Sequence, residues 1–173
     1  MNDKVLMIVL RLIHILAGVF WAGGAMIAAW FILPAQRAIG QPGMAFMQQL
    51  MFKQRLRVFV LGAMVLTLLS GLAMYARLAA ITDGAWASSR MGIVIGVGAV
   101  AAIIAGGIGG GVVGKIGKKM MAVGGAIQAG GGTPTDSQRT EMQALQVRMM
   151  GAYRLTAGLL LVAIAAMASA RYL

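Results

Sequence analysis

The sequence contains no cysteine, one histidine, three prolines and only four acidic residues among 173. Without cysteine there is no disulfide, no thiolate metal site and no thiol nucleophile. The four acids, Asp3, Asp83, Asp136 and Glu141, all fall outside the apolar stretches. No carboxylate pair is therefore set for acid–base work, which argues against a conventional hydrolase. Charge as a whole is scarce: 11% of residues are Asp, Glu, Lys or Arg, where a soluble domain carries roughly a quarter.

Apolar residues take that place, at 60% of the chain and a mean hydropathy of +0.86. Residues 12–36, 58–76, 91–114 and 155–170 contain no Asp, Glu, Lys or Arg. A bilayer core needs about 20 mostly apolar residues per helix. The first three stretches suffice alone, and the fourth does so once Arg154 and Arg171 snorkel from its ends. The expected fold is an all-α integral membrane protein. It has one domain, 1–173, with transmembrane helices over 9–33, 57–79, 91–114 and 152–172. The first apolar run reaches Gln36, well past the roughly 7–15 residues of a signal-peptide core.

Fifteen basic residues against four acidic ones give a formal charge of +11. In a soluble domain that balance suggests nucleic acid. Here the bases flank apolar spans, where anionic headgroups and the topology rule account for them, so the expected partner is the lipid bilayer and no nucleic acid. The first connection holds Arg37, Lys53, Arg55 and Arg57, and the third holds Lys115, Lys118, Lys119, Arg139, Arg148 and Arg154. The other side holds Lys4, Arg77, Arg90 and Arg171, with Arg11 just inside the first helix. Positive-inside then places both termini in the periplasm of a bacterial inner membrane and both long connections in the cytoplasm.

Those connections carry helical patterns. Met44, Met47 and Met51 repeat at helical spacing, as in an interfacial helix or an extension of the second span. Residues 115–129 continue the third helix to a turn at Gly130, Gly131 and Gly132, after which Thr133 fits an N-cap with Pro134 at the first helical position. Met142, Leu145, Met149 and Ala152 follow at packing spacing. A cytoplasmic helical hairpin between helices 3 and 4 is expected. Met47-Gln-Gln-Leu50 with Lys53 and Met142-Gln-Ala-Leu145 with Arg148 form a faint repeat, which duplication and shared amphipathic constraints explain equally well.

The third helix is rich in glycine. Gly92/Gly96 and Gly107/Gly111 allow close helix approach, within the chain, in a homo-oligomer or in a larger membrane complex. Gly109, Gly114 and Lys115 nearly spell a phosphate loop, but Ile116 stands where a hydroxyl is needed and no strand precedes it. Nucleotide binding is excluded.

His14 sits inside the first apolar run, where an ionisable residue is a functional candidate by default. Arg11, His14, Gly18, Trp21 and Ala25 share one helix face by spacing. A neutral imidazole suits heme iron, copper or zinc. With the N-terminus outside, Met74 and Met167 share the depth of His14 to within about a turn at 1.5 Å per residue. Histidine with methionine suits copper, above all Cu(I), and also heme iron. The plain alternative is a His14 that hydrogen-bonds a carbonyl or hydroxyl on a neighbouring helix.

The pattern of His14, Trp21, Gly23 and Gly24 resembles the first helix of the CopD-like copper-resistance membrane proteins and of the HemJ-type protoporphyrinogen oxidases. Pro34 closing the first helix, Thr67 with Gly71 in the second, and Arg90 opening the third extend the likeness over residues 8–95. The resemblance implies His14 as ligand to heme b or copper, Arg90 as its basic cofactor-binding partner, and, last in order, an oxidase acting on a porphyrin. Arg90 stands where the HemJ-like pattern has a lysine, and no later histidine follows. A non-catalytic structural or assembly subunit is the alternative reading.

Overall fold

The computed structural model describes residues 3–172 of the chain, and among them every regular element is a helix. Helix α1 (Asp3–Ile27) passes through a π-helical segment, Ala28–Ile32, into α2 (Leu33–Ile39), one helix of 37 residues. After Gly40 come α3 (Gln41–Gln48) and a π-helical continuation, Gln49–Lys53. Helix α4 spans Leu56–Ile81. Helix α5 (Arg90–Gly107) runs through a third π segment, Ile108–Val113, into α6 (Gly114–Ala129). Helix α7 (Asp136–Ser169) ends in a 3-10 turn, Ala170–Tyr172.

The breaks have local causes. Gly40 adopts φ 73° between α2 and α3, a conformation glycine takes without a Cβ penalty. Arg55 takes φ 55° just before α4. Residues 41–53 therefore form a separate helical piece, not a straight extension of α4. The Ser89 side chain accepts a hydrogen bond from the Gly92 amide and opens α5. Gly131 and Gly132, both at positive φ, make the turn after α6.

The cap of α7 differs from the sequence expectation. Thr135, not Thr133, is the N-cap: its hydroxyl accepts from the Gln138 amide while the Gln138 side chain accepts from the Thr135 amide. A reciprocal box needs Glu or Gln three residues after the cap. Gln138 supplies it for Thr135, whereas Thr133 finds Asp136 there.

Among the described residues, four helices are long and apolar enough to cross a membrane: Asp3–Ile39, Leu56–Ile81, Arg90–Ala129 and Asp136–Tyr172. Their main pairings are α1 with α4 and α5 with α7, while α1 also meets α7 and α6 lies against α7. The shared core is built from small residues. Trp21, Ala22 and Ala25 of α1 meet Ala63 of α4, Ala101, Ala102 and Ala105 of α5, and Leu160 and Ala163 of α7. Large apolar side chains point outward instead: Leu16 is 70% exposed and Phe31 69%, against 3% for Trp21.

Only some of the glycines mediate close approach. A Cβ on Gly98 would lie 3.1 Å from the Ala163 carbonyl oxygen, and one on Gly106 would lie 3.1 Å from Leu68 Cδ1. Gly96 faces the Tyr75 hydroxyl, and Gly92 lies against the backbone of Trp86 and Ala87. Gly107 and Gly111 face open space, so the expected contact through that pair is not made within the chain. The reason is helical phase: Gly106, one position earlier, takes the inward place.

Candidate functional site

His14 lies half-buried on α1, facing α4. Its Nδ1 is 2.8 Å from the Thr67 carbonyl oxygen. That carbonyl only accepts, so Nδ1 carries a proton, and a ring neutral in this tautomer would have its lone pair on Nε2. The seam is shaped for the ring. A Cβ on Gly71 would stand 2.7 Å from His14 Cε1 and 2.9 Å from Nδ1, so only glycine admits the imidazole there. One turn further along α1, Gly18 rests on the Thr67 methyl, 3.5 Å from where its Cβ would be. The hydroxyls of the seam turn back on their own helix: Thr67 donates to Ala63 at 2.7 Å and Ser70 to Leu66 at 2.5 Å.

The remaining sequence candidates are spread over the bundle. Met74 is half-buried on α4, three residues beyond Gly71 and on the same face by helical period. Met167 belongs to the other seam, its Cγ 3.4 Å from where a Gly98 Cβ would be. Tyr75, on α4 four residues beyond Gly71, reaches the Gly92 carbonyl and Gly96 near the start of α5. Arg90 is exposed in the first position of α5. Among the described residues no group of three or more His, Cys, Asp or Glu side chains gathers as a metal cluster.

No family model, curated protein or solved structure matches this chain. The likeness of the first helix therefore rests on four residues, which the structure gives separate settings. His14 sits in the α1–α4 seam, Trp21 is core, and Gly23 and Gly24 have nothing within 4 Å of where a Cβ would be. Trp86 packs edge-on to Tyr75 with centroids 5.1 Å apart. Asp3 pairs with Arg77 at 2.7 Å, tying the start of α1 to the end of α4.

A second feature is absent from the sequence reading. Where α2, α3, the start of α4, α6 and the middle of α7 converge, they enclose a cavity of about 220 Å³. Met44, Met47 and Met51 line one wall, Met120 and Met121 of α6 a second, and Met149 and Met150 of α7 a third. It adjoins a wider groove of about 890 Å³, and Arg37, Met44, Gln48, Phe52, Met121 and Gln146 border both. Neither space touches His14, Met74, Met167 or Arg90. The sequence carried half a signal, the spaced methionines of residues 44–51; the doublets that close the cavity lie 70 and 100 residues further on.

Proposed function

We propose that the chain is a four-span protein of a bacterial inner membrane that binds copper through His14. Both termini are periplasmic, and α6 with the first half of α7 forms a cytoplasmic hairpin. The outward-facing Leu, Ile, Val and Phe around an alanine and glycine core support insertion, since a soluble protein of this size rarely exposes such continuous apolar surface. The basic residues of the two long connections support the orientation.

The hydrogen bond from His14 Nδ1 to the Thr67 carbonyl is the contact the plain alternative expects, and the copper reading rests on what that bond leaves over, the second ring nitrogen. Metal-ligating histidines use this arrangement, in which the hydrogen-bonded nitrogen fixes the tautomer and the ring's direction. Met74, on the face of α4 that carries Gly71, offers a thioether, and a soft sulfur donor suits Cu(I). Bound copper supplies a one-electron redox centre. The chain's own contribution is to hold the imidazole still and to leave Nε2 unprotonated. Heme b fits less well: the seam offers the axial donor, but neither cavity in the bundle adjoins it.

The test is an absorption spectrum, oxidised and reduced, of gently solubilised protein, with metal content measured on the same sample after copper add-back. Stoichiometric copper that disappears in His14→Ala is the expected result. A Soret band lost in the same variant would assign heme b instead. Copper-free, colourless protein would overturn both.

A second reading, an assembly subunit without chemistry, is favoured by the open faces of Gly107 and Gly111. It expects a homo-oligomer or a larger complex that Gly107→Leu dissociates and His14→Ala leaves intact.

A further inference from the structure

The cavity at the end of the bundle opposite His14 has a chemistry of its own. Its wall is mainly apolar and dominated by methionine, an unbranched, polarisable side chain that reshapes around whatever fills it. Two exposed arginines, Arg37 and Arg57, are among its lining residues. Arg57 Nη2 lies 4.0 Å from where a Gly114 Cβ would be, so the charge lies against glycine backbone at the α4–α6 junction. The adjoining groove adds Lys53 and Arg139. No Asp or Glu lines either space, and among the described residues no carboxylate pairs with Arg37 or Arg57.

Cations left unneutralised beside an apolar hollow select an anion with an apolar tail. Size narrows the class further. At about 220 Å³ the cavity is below the ~300–1,000 Å³ of a typical small-molecule site. It has room for a segment of one extended chain, and two acyl chains side by side would overfill it. We propose that this site binds a single-chain anionic amphiphile, a long-chain fatty acid. Its acyl chain threads between the methionines and its carboxylate rests on Arg37 and Arg57.

Helix α3 forms one wall and is joined to its neighbours only through Gly40 and the left-handed Arg55, two points where the backbone turns sharply. Gly43 presses on α2 so closely that a Cβ would stand 2.5 Å from the Gln36 carbonyl oxygen. The wall is thus seated on α2 and separate from the straight run of α4.

The experiment uses the full chain in phosphatidylcholine nanodiscs with radiolabelled palmitate as probe. Saturable binding near one palmitate per chain is expected. Hexadecanol, with the same tail and no charge, should compete at least about tenfold less well. The double variant Arg37→Gln/Arg57→Gln should weaken palmitate binding at least about tenfold, whereas Arg37→Lys/Arg57→Lys retains most of it. Gly117→Leu, which places a branched side chain in the cavity, should abolish binding while the helical circular dichroism is unchanged. Equal competition by hexadecanol, or a glutamine variant that binds like the parent, would overturn the proposal. So would dioleoylphosphatidylglycerol displacing palmitate at equal concentration, since the occupant would then be a two-chain lipid. The hexadecanol comparison uses the parent protein alone and so holds even if a variant fails to fold.

Discussion

At the scale of single residues, the seam between His14 and α4 is a contact that one methyl group can break. Gly71→Ala places a carbon within 3 Å of two ring atoms of the imidazole. The ring must shift, and the 2.8 Å hydrogen bond to Thr67 is disturbed with it. We expect a loss of about 2 kcal/mol in thermal unfolding, typical of overpacking. In His14→Ala/Gly71→Ala the two changes should be clearly non-additive, because the alanine then fills the vacated space. Copper, if His14 holds it, should be lost in Gly71→Ala as completely as in His14→Ala. Thr156 on α7 gives the opposite case. Its buried hydroxyl has no hydrogen-bond partner, so Thr156→Val removes an unmet polar group at nearly constant shape. Stability should be unchanged or rise by about 1 kcal/mol; a fall of that size in a denaturation curve would show that the hydroxyl is bonded.

At the scale of elements, the two candidate caps of α7 make a direct comparison. Thr135→Ala removes half of a reciprocal box and should cost about 1 kcal/mol. Thr133→Ala should change stability by less than about 0.5 kcal/mol, as unfolding curves would read. The difference shows what was legible in the sequence. Charge-free runs of about 20 residues announce long helices, because the signal is summed over many side chains. The cap depends on a single register, and Pro134 next to Thr133 made the wrong register attractive. The π segments at Ala28–Ile32 and Ile108–Val113 left no trace in the pattern. They add one residue to a turn without changing which residue types are present. The partner of His14 was illegible for a related reason, since a backbone carbonyl at Thr67 has no residue signature. The cavity is the extreme case: its walls come from α3, α6 and α7, and no local periodicity joins residues so far apart.

At the scale of the molecule, helix length and surface make one argument. A helix of 40 residues, Arg90–Ala129, is about 60 Å long at 1.5 Å per residue, twice a hydrocarbon core of about 30 Å. In the proposed orientation the surplus lies on one side, as α6 and the start of α7. The methionine cavity then sits where the apolar part of the bundle gives way to the charged part. Acyl chains and their head groups would meet the protein at that depth, so the location agrees with the ligand inferred from the lining residues alone. The orientation can be tested cleanly because the chain has no cysteine of its own. Ser88→Cys, exposed in the α4–α5 connection, and Ser137→Cys, exposed in the first turn of α7, fall on opposite sides. A membrane-impermeant maleimide should label Ser88→Cys in cells with a permeabilised outer membrane, and Ser137→Cys only after lysis. The reverse labelling would invert the topology, putting His14 in the cytoplasmic leaflet and the arginine-flanked cavity at the periplasmic face. Equal labelling of both before lysis would mean that the helix between them, Arg90–Ala129, does not cross the bilayer.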